Sequence, residues 1–170
     1  MNETGLTIRP MQMDDLQQVL KIDQVSFSLP WPESAYRYEL TENPTSRSWV
    51  AIYDSADGEQ VIVGMIVVWL ILDEAHIATL AIHPDYRKRG IGSTLLVEAL
   101  QSVLLQGARS AFLEVRASNL AAQNLYQHFG FEIVNRRPRY YKDNLEDALL
   151  MNLENLSAAK QRIDALSNQQ

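Results

Sequence analysis

The apolar and polar positions of this chain change rhythm near its middle. Leu6 and Ile8 alternate with polar neighbours and predict a first strand ending near Pro10. Leu16, Val19 and Leu20 then fall at helical spacing behind Asp14 and Asp15, whose charge suits the positive end of a helix. Residues 27–32 break that pattern. Pro32 is placed for the first position of a second helix, which runs through Tyr36 and Leu40 and stops before Pro44. Residues 48–53 predict a strand, Asp54 to Glu59 with Asp57-Gly58 a hairpin turn, and residues 61–72 a long strand rich in β-branched side chains.

From His76 the order becomes strand, helix, strand, helix, strand, at 76–82, 91–106, 111–116, 120–129 and 131–136. Gly107 and Gly130 each follow a helical stretch, where a helix commonly stops. Residues 148–153 predict a last strand. The polar tail from Asn155 carries one weak amphipathic series, Leu156, Ile163 and Leu166, and is expected to fray or form a short helix. The expected fold is α/β with a mixed sheet of about seven strands and four helices. Its first half is an antiparallel meander, one domain covers 1–154, and 155–170 is a tail.

A chain of 170 residues can bury one sizeable core. The absence of cysteine excludes disulfides, thiol catalysis and cysteine-ligated metal, and no metal is expected. No basic stretch followed by an apolar run opens the sequence, and the apolar run of residues 61–72 is interrupted by Gly64 and too short to cross a bilayer. A cytoplasmic protein without membrane contact is expected. The net charge of −6 argues against a general nucleic-acid binder. Against that acidic background Arg87, Lys88 and Arg89 point to a local anionic ligand.

Those three cations lie in the stretch Leu80-Ala81-Ile82-His83-Pro84-Asp85-Tyr86-Arg87-Lys88-Arg89-Gly90-Ile91-Gly92-Ser93. A strand ends, a basic turn follows, and two glycines open a helix. Glycine lets backbone approach a ligand, and the unpaired amides and dipole of a helix start favour an anion. A pyrophosphate cradle fits this arrangement; so does a tight turn on a solvated face. The Gly-Lys-Ser/Thr ending of a Walker loop is missing, and the dinucleotide pattern G-x-G-x-x-G is incomplete.

Further on, Leu113 and Val115 share one face of a strand and leave Glu114 on the other. There Glu114 must face a cleft, pair with a cation such as Arg116, or sit in solvent. Ser118 or Asn119 is placed to cap the next helix. Tyr126 lies on that helix's apolar face with Ala122, Leu125 and Phe129, as a core residue would. Phe27 and Trp31 could line a groove or plug the core edge. The basic run Arg136-Arg137-Pro138-Arg139 beside Tyr140-Tyr141 either attracts acidic peptide residues or forms a solvated loop.

In combination these segments resemble a known family. Arg87-Lys88-Arg89-Gly90-Ile91-Gly92 is similar to the R/Q-x-x-G-x-G/A motif of the GNAT N-acetyltransferases. Leu113-Glu114-Val115-Arg116-Ala117-Ser118-Asn119, Ala122, Leu125-Tyr126 and Gly130-Phe131 resemble its RimI-type protein N-terminal acetyltransferases. The resemblance implies transfer of an acetyl group from acetyl-coenzyme A to the α-amine of a protein N-terminus, such as that of a ribosomal protein. It implies that residues 87–93 hold the pyrophosphate and that Leu80, Ala81 and Ile82 pair with the pantetheine arm and supply an oxyanion donor. Two neighbouring strands are expected to part after residue 80, with the thioester in the gap. Asn119 would hydrogen-bond the cofactor, Glu114 would act as general base and Tyr126 as general acid. His76 competes with Glu114 for the role of base. Leu29, Pro30, Trp31, His76, Tyr140 and Tyr141 would flank the acceptor. Acetylation of a small amine or a lysine side chain, or coenzyme A sensing without turnover, are the rival functions.

Overall fold

The computed structural model describes residues 4–54 and 59–167, so the turn expected at Asp57-Gly58 lies outside the described residues. Strands β1 (Thr4–Pro10), β2 (Ser46–Asp54), β3 (Gln60–Ile71) and β4 (Glu74–Ile82) form the antiparallel first half. Helices α1 (Leu16–Ser26) and α2 (Glu33–Thr41) fill the connection between β1 and β2. The second half runs α3 (Ile91–Leu105), β5 (Ser110–Arg116), α4 (Leu120–Phe129), β6 (Glu132–Arg137), β7 (Ala148–Leu153) and α5 (Leu156–Ser167). One sheet takes all seven strands in the order β1-β2-β3-β4-β5-β7-β6, parallel at β4–β5 and antiparallel elsewhere.

The sheet carries a packed layer on each face. Ile66 and Val68 join Leu95, Leu96, Leu100 and Val103 of α3 on one side. Met65 and Val67 join Leu16, Val19 and Ile22 of α1 and Tyr36 of α2 on the other. This double burial explains why β3 reads as a continuous apolar run rather than an alternating one.

Three local features differ from the sequence expectation or add to it. Pro32 is the residue before α2 rather than its first helical position; its extended ψ of 157° aims the chain into the helix. Asp15 does stand at the helix start, immediately before α1. It is buried beneath Arg9, which donates to it at 2.7 and 2.8 Å. The tail contributes a fifth helix beyond the four expected, because Leu156, Ile163 and Leu166 reach the core beside α3.

The sheet opens where β4 and β5 part. Their pairing runs from Glu74↔Ser110 to Ile77↔Leu113 and ends there. The expectation of a split after residue 80 is therefore corrected to one after residue 77. A bulge is the physical reason: Val67 pairs with Thr79 and Val68 with Ile77, leaving Ala78 as an extra residue that bends β4. Residues 79–82 stay paired to β3 but have no strand on their other edge. Among the described residues no helix is long and apolar enough to cross a membrane.

Candidate active site

The chain leaves β4 through a 3-10 turn, Pro84–Tyr86, and reaches α3 by two left-handed residues, Lys88 at φ +62° and Gly90 at φ +81°. Gly90 stands at the N-terminus of α3, and no side chain caps that helix. The amides of its first turn therefore face the adjacent cleft, a cavity of about 480 Å³. Leu80, Ala81 and Ile82 line one side, and Arg87, Lys88, Gly90, Ile91, Gly92 and Ser93 line another. Asn119 and Tyr126 close it from α4. Arg87 fixes the loop by donating from Nε to the Ile82 carbonyl at 3.0 Å. Arg89 is not brought to the cleft; its guanidinium lies 5.0 Å from the Tyr86 ring centre and donates to the Asp85 carbonyl at 3.2 Å.

The cleft adjoins a smaller cavity of about 200 Å³ at the split in the sheet. Leu80, Asn119, Ala122 and Tyr126 border both. Beyond it lies a groove of about 740 Å³, which shares Trp31, Ile77, Ala78, Glu114 and Tyr141 with the middle cavity. Glu114 and Tyr126 thus face the same central space from β5 and α4. Leu29 and Trp31 border it from the connection between α1 and α2. Pro30 is exposed and lines neither cavity.

The floor of the groove follows from register. Trp69 pairs with His76, and His76 with Phe112, so these side chains share a face. Glu114 follows two residues along β5 and points the same way. His76 is held by Glu74 at 3.0 Å and stacks on Phe112 with ring centres 5.3 Å apart. Tyr140 and Tyr141, edge to face at 5.3 Å, form the opposite wall.

The two residues expected to carry chemistry differ in setting. Tyr126 is 6% exposed, and its hydroxyl makes no hydrogen bond to another described residue. Burial, and then the neighbouring Tyr141, push its pKa upward, so it stays protonated at neutral pH. Glu114 is ion-paired with Arg137, and its carboxylate is the main influence raising the pKa of the neighbouring Tyr140. Arg116, the partner expected from sequence, is held elsewhere by Asp143 at 2.9 Å and Glu146 at 3.3 Å. Asn119 caps α4 through Oδ1 to the Ala122 amide at 3.1 Å, which leaves its Nδ2 able to donate to a ligand.

Three further groups support the site and were not singled out from sequence. Asp23, 1% exposed, accepts from the Trp31 amide at 2.6 Å and the Tyr36 hydroxyl at 2.8 Å. Burial raises its pKa against the opposing effect of those bonds. Its place beside Leu16, Val19 and Ile22 on the apolar face of α1 was a readable sign of a buried partner. Glu39 accepts from Trp69 Nε1 at 2.9 Å, and the Trp69 ring stacks on Trp31 with centres 6.3 Å apart. Glu146 accepts from the Ser118 amide at 2.7 Å; its bonds to Ser118 are the main cause of a pKa lowered to about 2.

Comparison with known proteins agrees with this geometry. The Acetyltransferase (GNAT) family model matches residues 16–131. A protein of Bacillus subtilis (strain 168), provisionally named ribosomal protein bS18-alanine N-acetyltransferase, is 38% identical over 149 residues, covering 88% of this chain and 95% of that one. The crystal structure of the ribosomal-protein-S18-alanine N-acetyltransferase from Escherichia coli matches with a TM-score of 0.76 at 30% identity, over 88% of this chain and 93% of that one. The NatC complex bound to Gag peptide and CoA matches with a TM-score of 0.78 at 25% identity, over 89% of this chain and 99% of that one.

Proposed function

The chain belongs to the GNAT acetyltransferase family, and on that footing we propose that it transfers an acetyl group from acetyl-coenzyme A to the α-amine of a protein N-terminus. A ribosomal protein is the acceptor suggested by its relatives. The observation that carries this reading is continuity: the cleft at the uncapped start of α3, a central cavity and an aromatic groove adjoin in sequence, with Glu114 and Tyr126 in the middle.

The cleft fits acetyl-coenzyme A on its own terms. The uncapped start of α3 suits a pyrophosphate, with Arg87 and Lys88 adding positive charge. The free edge of β4 suits an amide-bearing arm, which pairs as an added strand would. Bound there, acetyl-coenzyme A supplies the activated acetyl thioester.

The chain's own residues then have separable tasks. An α-ammonium has a pKa of about 8 and must lose a proton before it can attack. Glu114 takes that proton, directly or through a water, because it is the carboxylate facing the central cavity. His76 lies on the same groove but toward its far end, tied to Glu74. Tyr126 holds a proton on its hydroxyl and delivers it to the departing sulfur. Phe27, Leu29 and Trp31 reduce water access to the reacting atoms.

An assay with acetyl-coenzyme A and peptides beginning Ala, Ser, Met or Thr tests the reading, with spermidine and an N-terminally blocked lysine peptide as parallel acceptors. Acetylation at the free α-amines is expected. Turnover confined to spermidine or lysine would overturn it.

A further inference from the structure

We propose that Arg137 is a specificity-determining residue: it covers Glu114 in the acceptor-free protein and is drawn off by an acidic side chain near the acceptor's N-terminus. The inference rests on the function given above and concerns its acceptor side.

The basic run at 136–139 is divided by the fold. Arg136 pairs with Asp147 at 2.5 Å, and the Arg139 amide donates to the same carboxylate at 2.8 Å. Of the three arginines, Arg137 lines the acceptor groove. Its guanidinium engages the Glu114 carboxylate and lies 5.5 Å from the centre of the Tyr140 ring.

This arrangement sets up a competition of charges. The acceptor arrives as an α-ammonium, a cation seeking the carboxylate that Arg137 already holds. Both cannot keep it at full strength, since like charges at one carboxylate repel. The ring of Tyr140 can still face the displaced guanidinium, but a ring is a weaker partner than an anion. Nearby acids are committed: Asp143 and Glu146 to Arg116, Asp147 to Arg136, and Glu74 to His76. An acceptor carrying its own carboxylate within reach supplies the missing anion, and one salt bridge is exchanged for two.

Arg137 is half exposed, so the expected discrimination is modest, about threefold to tenfold in kcat/KM. The experiment compares acceptor peptides beginning with Ala that carry Glu or Gln at the second or the third position. The native protein should favour Glu at one of these positions, and the preference should shrink at high salt. In R137Q the Glu-to-Gln ratio should fall to about one, while R137K should keep part of it. The affinity of R137Q for acetyl-coenzyme A should match that of the native protein, because Arg137 lies outside the cofactor cleft. A native ratio near one at both positions, or an unchanged ratio in R137Q, overturns the inference and leaves the proposed function standing. Failure to acetylate any free α-amine overturns both.

Discussion

The guanidinium of Arg116 lies 3.9 Å from the centre of the Tyr141 ring. From that position it also donates to Ser28 at 3.1 Å and to Asn144 at 3.1 Å, and pairs with Asp143 and Glu146. Ser28 belongs to the connection after α1, and the others to the connection before β7. One side chain at the end of β5 therefore fastens both walls of the central cavity, with Tyr141 held flat against it.

Removing Arg116 should disturb positioning more than cofactor binding. In Arg116→Ala, kcat/KM for the acceptor should fall by ~10- to 100-fold, the scale expected when a wall near reacting atoms shifts. Acetyl-coenzyme A affinity should change far less. Steady-state kinetics with each substrate varied in turn checks the split. Arg116→Lys, which keeps the charge but loses the planar fork, should recover little.

The same tether has a defined pH response. Glu146 is held at a pKa of about 2, below the ordinary carboxylate value, and Asp143 is lowered as well, first by its bond from Ser28. A lowered pKa means that the folded state prefers the ionised form. The contribution is thus complete above the ordinary value of about 4 and is lost as pH falls toward 2. The Ser118 amide resonance should stay constant from neutral pH down to about 4 and move below it. In Glu146→Gln that movement should disappear.

Much of the fold was legible in the sequence because it depends on local rhythm. Period-two and period-3.6 patterns located the strands and the first four helices, and the glycine spacing marked the left-handed entry to α3. The less legible features are long-range. Glu114 pairs with Arg137, whose backbone is in register with Arg116 two strands away, a relation that no local spacing encodes. The split after residue 77 depends on one bulged residue, Ala78, in an otherwise regular strand. Helix α5 buries three apolar residues in a mostly polar segment, so its signal was weak until α3 was in place to receive it.

Asp23 offers a test of support from beneath the site. Asp23→Ala leaves the Trp31 amide without its acceptor and the buried Tyr36 hydroxyl with only the weak Met65 sulfur at 3.8 Å, at about 1–3 kcal/mol for each bond lost. Urea unfolding should show that loss. Acceptor KM should rise as Trp31 loosens, with little change in acetyl-coenzyme A affinity.

The two glycines at the start of α3 should separate cleanly. Gly90 has φ +81°, so Gly90→Ala should cost about 1–2 kcal/mol of stability and weaken the cofactor site together. A Cβ at Gly92 would meet Leu125 at 3.5 Å and Ile82 at 3.8 Å, both ordinary contacts. Gly92→Ala should therefore melt no lower than the native protein, and any defect should appear in acetyl-coenzyme A binding alone. Thermal melts with and without the cofactor check both.

The most direct test is the pH dependence of kcat/KM for Glu114→Gln on an Ala-starting peptide, run beside His76→Gln and Tyr126→Phe. Glu114→Gln should lose about 10²- to 10⁴-fold near neutral pH, the range for a general base, while binding acetyl-coenzyme A normally. Tyr126→Phe should lower kcat more than cofactor affinity, and His76→Gln should change little. A Glu114→Gln profile superimposable on the native one, with the loss found in His76→Gln instead, would contradict the placement of the chemistry at the split between β4 and β5.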